Sequence, residues 1–155
     1  MAVTITNDGS SNFAVWNLDS NGKQIDLLVN TIGSYSGTRL IDAIKGQQTA
    51  ALNIESDGNW TVTLKPLALL RVWDGTGTWT GKGDDLLVIK SGAFAGLDSI
   101  KITNSGESNF VVTAYGDSKD LLVNEIGNYS GEQLMPAGTV LLEIQSDGNW
   151  SLHKA

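Results

Sequence analysis

No cysteine occurs among the 155 residues, which excludes disulfide staples, zinc–thiolate sites and thiol nucleophiles. A single histidine, His153, lies close to the C-terminal end, so a multi-histidine metal site cannot be built. Prolines number only two. No apolar run approaches the ~20 residues that a membrane-crossing helix needs. Cations are scarce and scattered singly, ten against seventeen acidic groups, for a net charge of −7. Nucleic-acid binding draws on clustered cations that release counterions, and anionic membrane surfaces ask for the same clusters, so both partner classes are disfavoured. The opening Met1-Ala-Val-Thr-Ile-Thr6 has no basic segment, apolar core or cleavage site of a secretory signal. An extracellular or cell-surface location is nevertheless the expectation, with the compartment itself unknown.

What is abundant is glycine, eighteen residues of it, among many Thr, Ser and Asn. With 41% hydrophobic residues, the chain has the composition of a packed globule rich in tight turns. A chain of this length buries roughly 68–70% of the surface that it exposes when unfolded.

Three blocks recur in the same order. Ile5-Thr-Asn-Asp-Gly-Ser-Ser-Asn-Phe13 matches Ile102-Thr-Asn-Ser-Gly-Glu-Ser-Asn-Phe110. Leu27-Leu-Val-Asn-Thr-Ile-Gly-Ser-Tyr-Ser-Gly37 matches Leu121-Leu-Val-Asn-Glu-Ile-Gly-Asn-Tyr-Ser-Gly131. Ala51-Leu-Asn-Ile-Glu-Ser-Asp-Gly-Asn-Trp60 matches Leu141-Leu-Glu-Ile-Gln-Ser-Asp-Gly-Asn-Trp150. Of the 30 paired positions 23 are identical, which reads as an internal duplication. The offset shrinks from 97 to 94 to 90 residues, placing the differences in two connections. The expected organisation is one domain over 1–155: a first repeat at 1–64, unrepeated strands at 65–99 completing a shared sandwich, and a second repeat at 100–155. Residues 65–99 are too apolar for a linker.

Alternation with period two dominates: Val3 and Ile5, Phe13 and Val15, Leu52 and Ile54, Val62 and Leu64, each interleaved with polar residues. Asn21-Gly22, Asp57-Gly58-Asn59 and Asp147-Gly148-Asn149 read as hairpin turns between such runs. The fold class expected is all-β: an antiparallel β-sandwich or jelly-roll-like domain, with a flattened barrel second and the copies related by a pseudo-twofold axis.

Trp60 and Trp150 share parity with Val62 and Leu152 and are expected to point inward as core anchors. Trp16, Trp73 and Trp79 have no counterpart in the other copy, so symmetry does not demand them. As exposed indoles they suit stacking on a sugar ring, with Arg71 nearby to hold hydroxyl groups; sealing an edge or a small core is the structural alternative. Asn12 and Asn109 are paired ligand candidates whose simpler role is to bond nearby backbone. Tyr35 and Tyr129 either line symmetric sugar sites or pack over the Gly-x-Tyr-Ser-Gly corner.

No catalytic constellation is found. Within the three matched blocks Asp57 with Asp147 is the one shared acidic position, and it lies in a turn. Adjacent Asp84 and Asp85 point apart if extended, His153 is poorly placed as a base, and Gly75–Gly83 lacks the spacing of a phosphate loop. No cofactor is implied. Asp74, Asp84 and Asp85 are the best-placed carboxylates for calcium, against their plainer reading as solvated turn residues.

In its general look, a duplicated β-sandwich rich in Gly, Thr, Asn and Trp, the chain resembles bacterial carbohydrate-binding and cell-surface accessory modules. The resemblance is architectural and carries no residues over. It implies a non-catalytic, lectin-like binding module; the alternative is a structural or particle-coat protein working by assembly. The partners that these readings imply are a glycan or a protein surface, with an oligomer allowed by either.

Overall fold

The computed structural model describes residues 1–155, all β apart from one 3-10 turn at Leu67–Leu69. The chain divides into two compact units, Met1–Leu67 and Ala68–Ala155. Each has its own apolar cluster.

In the first unit β1 (Ala2–Asn7) lies between β4 (Tyr35–Leu40) and β6 (Trp60–Lys65). A second antiparallel sheet places β2 (Asn12–Leu18) between β3 (Gln24–Ile32) and β5 (Ala51–Glu55). Both sheets send side chains into one core. Val3 and Ile5 come from β1, Phe13 and Val15 from β2, and Leu28 and Val29 from β3. The arrangement is β-sandwich-like, and the period-two alternation is its cause, since every second residue of a strand faces the same side.

The second unit repeats these pairings with the matched blocks. β10 (Ser99–Asn104) lies between β13 (Tyr129–Leu134) and β15 (Asn149–Lys154), while β11 (Asn109–Tyr115) lies between β12 (Lys119–Ile126) and β14 (Leu141–Gln145). The strands within residues 65–99 pair inside the second unit. β8 (Thr78–Lys82) pairs with β15, and β9 (Asp85–Ile89) pairs with β14. β7 (Val72–Trp73) runs parallel to β9, the one parallel pair in an otherwise antiparallel structure. Leu67–Leu69, expected as strand, is instead the 3-10 turn.

Turn chemistry accounts for some connections and corrects others. Asn21-Gly22 closes the β2–β3 hairpin: Gly22 has φ +77°, and Asp19 accepts from the amides of Asn21 and Lys23. Asp57-Gly58-Asn59 is no hairpin, because β5 and β6 belong to different sheets and the turn is a corner between layers; Asp147-Gly148-Asn149 does the same for β14 and β15. Gly58 is required there by contact. A Cβ on it would sit 2.4 Å from the backbone nitrogen of Gly9.

The repeated Leu-Leu-Val-Asn block encodes a β-bulge. Val15 opposes Val29 and Trp16 opposes Leu27, so Leu28 is the extra residue. Leu28 and Val29 are therefore buried in succession, against strict alternation. The second copy shifts register at the same place, between Val112 and Thr113.

The paired tryptophans part company. Trp150 is 2% exposed, as expected, but Trp60 is 48% exposed, and Leu64 on the same strand is 57% exposed. The cause is β8. Its Gly81 lies directly opposite Trp150, so close that a Cβ there would fall 2.1 Å from the indole, and the Gly83 carbonyl accepts the Trp150 N–H at 2.9 Å. β6 has no strand on that side. Trp150→Ala should therefore lower stability by about 3–5 kcal/mol in denaturant unfolding, whereas Trp60→Ala should cost under about 1 kcal/mol. Equal losses would contradict the difference in packing.

Candidate functional site

The three unpaired indoles do not form one exposed platform. Trp73 is 1% exposed, an edge-on neighbour of Phe94 at 5.4 Å, with its N–H given to the Thr76 carbonyl. Its expected exposure is corrected: in the two-residue strand β7, Val72 faces out and Trp73 faces in. Trp79 packs its ring partly against the same core, and the guanidinium of Arg71 covers it at 5.0 Å from the centroid. Asp85 in turn pairs with Arg71. The candidates Arg71 and Trp79 thus meet in an arrangement where the cation occupies a ring face that a sugar would need. Trp16 is half-buried, outward on β2, with Leu27 and Asn53 as its cross-strand neighbours.

The remaining candidates divide by role. Asn12 and Asn109 are exposed at the starts of β2 and β11, and neither side chain makes the backbone bond expected of it. Tyr35 and Tyr129 are half-buried and pack on Phe13 and Phe110, with centroids 5.9 and 5.7 Å apart. The Tyr129 hydroxyl accepts from the Gln133 amide, not from backbone, and lies over Gly131. Gly33 and Gly127 take φ +89° and +84° at the corner, the conformation that glycine tolerates.

The aspartates proposed for calcium serve three separate purposes. Asp74 accepts the hydroxyl and amide of Thr76, and these bonds hold its carboxyl below the usual range. Asp84 accepts the amide of Ser146 at 2.9 Å, and Asp85 takes Arg71 and the amide of Leu86. No three acidic or histidine side chains converge on one point.

The residues shared by the copies build a loop clamp at one end of each unit, which reasoning from the sequence missed. Asn7, buried at the end of β1, donates to the Gly33 carbonyl at 3.0 Å and accepts the Ser56 hydroxyl at 2.7 Å. Asp57 then receives the amides of Ser10 and Ser11. In the second unit Asn104 donates to Gly127 and accepts from Ser146, and Asp147 receives the amides of Glu107 and Ser108. The signal was present as Asn and Asp at fixed places in the first and third blocks. Its role is structural.

What distinguishes the two units is an open side on the first. β5 and β6 are both terminal strands of their sheets, while β14 and β15 are covered by β9 and β8. Exposed Trp60 and Leu64 and half-buried Val62, Leu52 and Ile54 line this side. From Trp60 to Leu64 β6 reads Trp-Thr-Val-Thr-Leu, uncharged and β-prone, and the lysine and proline that blunt a strand edge come only at its C-terminal end, as Lys65 and Pro66. On the second unit, a shallow groove of about 640 Å³ is lined by Thr80, Lys82, Thr103, Asn149, Trp150 and Ser151. No helix is long and apolar enough to cross a membrane.

Compared with known proteins, the chain matches no family model and no curated protein.

Two outcomes test the clamp. Asn104→Ala strips the Gly127 carbonyl of its side-chain donor and the buried Ser146 hydroxyl of its Asn104 acceptor, leaving that hydroxyl only its bonds with Gly148, and should cost about 1–3 kcal/mol by denaturant unfolding. Asp57 is held below the ordinary carboxylate range, first by the Ser11 amide and then by the amide and hydroxyl of Ser10. A carboxyl with a depressed folded pKa stabilises above its unfolded value and loses that contribution as pH falls through the folded one. The first unit should therefore weaken on acidification below about pH 4, and Asp57→Asn should flatten that acid limb. An acid limb unchanged in Asp57→Asn would assign the loss to other groups.

Proposed function

We propose that this chain is a non-catalytic binding module that works by protein–protein assembly, with the open side of the first unit as its working surface. The observation that carries the reading is the pairing state of β5 and β6: two adjacent terminal strands, lined by Trp60, Val62 and Leu64, at the place where the second copy is covered. Backbone groups on such an edge can pair with another chain, and an exposed indole is the kind of anchor that interfaces favour. The matched blocks are read as duplicated copies of one sandwich that have diverged, one keeping a closed side and the other an open one. Burial of Trp73 and coverage of Trp79 by Arg71 move the weight away from a three-indole sugar platform.

A lectin-like reading rests on Trp16 alone, whose half-exposed ring lies beside Asn53 and Leu27 on the outer face of β2. Glycan-array binding abolished by Trp16→Ala in a folded protein would favour it.

The assembly reading is tested by placing a photoreactive amino acid at Thr63 on β6, and at Asn30 on β3 as control, in the source cell. Protein adducts at 63 and none at 30 are expected. Absence of protein adducts at 63 would overturn the reading.

A further inference from the structure

The second unit shows what an occupant of the open side must look like. There, residues Thr78–Ile89 form a clip: β8 extends one sheet, a Gly83-Asp84 corner crosses the layers, and β9 extends the other. Four features lock it. Gly81 stands opposite Trp150 and Trp79 stands opposite Leu152. The Gly83 amide donates to the Gly148 carbonyl at 3.0 Å, and the Gly83 carbonyl accepts from the Trp150 indole at 2.9 Å. Asp84 accepts from the Ser146 amide at 2.9 Å. On β9, Leu87 opposes Leu142 and Asp85 opposes Ile144.

Every receiving group of that lock has a counterpart in the first unit. Trp60 corresponds to Trp150, Gly58 to Gly148, Ser56 to Ser146, Val62 to Leu152, and Leu52 and Ile54 to Leu142 and Ile144. The corner that carries them is held in the same way, by Asn7 with Ser56 and by Asp57. Yet the Ser56 amide, the Gly58 carbonyl and the Trp60 indole N–H have nothing equivalent to the Gly83 and Asp84 bonds. The lock is complete on the receiving side and lacks its insert.

We infer that the open side of the first unit receives a two-strand clip of the Thr78–Ile89 type from a partner polypeptide, one strand adding to β6 and the other to β5. This rests on the assembly reading and specifies its partner. The chemistry required is particular. Only glycine fits opposite Trp60, because in the second unit a Cβ at the same place would lie 2.1 Å from the indole. An aromatic residue two positions earlier covers Val62, as Trp79 covers Leu152. A Gly-Asp corner follows, the glycine in the left-handed region as Gly83 is at φ +74°, and then a mainly apolar strand. A flat strand without that corner could pair with β6 but would leave β5 and the Ser56 amide unserved.

The test uses a synthetic peptide spanning residues 70–90 of this chain, dye-labelled and titrated into the full-length protein by fluorescence anisotropy. Because a free peptide pays to order itself, a second version tethers the same segment ahead of Met1 through a long Gly/Ser linker and reads the melting temperature. Saturable binding and a raised melting temperature are expected, both lost when Gly81 of the added segment is changed to Val. Trp60→Arg in the full-length chain should weaken binding about ten-fold or more, as loss of a central anchor does. The inference is overturned if neither version shows an effect, or if the Gly81→Val segment performs equally well. It is also overturned if the protein without peptide forms a dimer that buries Trp60 in sedimentation and fluorescence, since the occupant would then be a second copy. Adducts at Thr63 together with failure of the peptide would sink the clip and leave assembly standing. Peptide binding without adducts would show that the side accepts such a clip but has no partner supplying it, and would overturn the assembly reading and with it the inference.

Discussion

A buried asparagine at the end of the first strand of each unit ties together loops that are distant in sequence. Asn7 and Asn104 each donate to the carbonyl of a glycine corner and accept from a serine at the corner between the two sheets. An aspartate one residue beyond that serine gathers the amides of the turn leading into the next strand. Three connections per unit are thereby fixed by side chain–backbone bonds. A buried amide left unpaired costs more than a made bond contributes, so the network is worth most when complete. It sets where β5 and β6, or β14 and β15, leave their common corner, and so the register in which both sheets close over the core.

The fixed corner then presents the same receiving groups in both units, and the units differ in what meets them. In the second, β8 and β9 pair with both strands that leave the corner, and Trp150 disappears beneath Gly81. In the first, the strands end their sheets and Trp60 stays half-exposed. Identical local sequence, Ser-Asp-Gly-Asn-Trp, thus yields a core residue in one place and a surface residue in the other. Burial is a property of the neighbours, which a residue's own alternation pattern does not contain.

That distinction explains what the sequence made legible. Alternation at Val3, Ile5, Phe13 and Val15 identified the core facing correctly, because these positions lie on the central strands of their sheets. Trp60 and Leu64 follow the same alternation on a strand with one empty side, so their inward parity did not bury them. For Trp73 the alternative of sealing a small core is the one that holds: β7 is two residues long, too short for an alternation pattern to assign its facing. The doubled burial of Leu28 and Val29 needed a bulge, which a strict period of two cannot express. At the candidate site, Arg71 and Trp79 were both candidates, but the stacking of one on the other was not foreseen. The open side was not foreseen: residues 65–99 were expected to complete one shared sandwich, whereas their strands β8 and β9 pair with β15 and β14.

The central claim is that two matched units share one corner and differ in one covered side. Amide-resolved hydrogen exchange on the full-length protein, without any added partner, measures this directly. Amides of β14 and β15 should be protected on both sides of each strand, while in β5 and β6 only those bonded to β2 and β1 should be slow and the alternate ones fast. Uniform protection along β5 and β6, matching that of β14 and β15, would contradict the account.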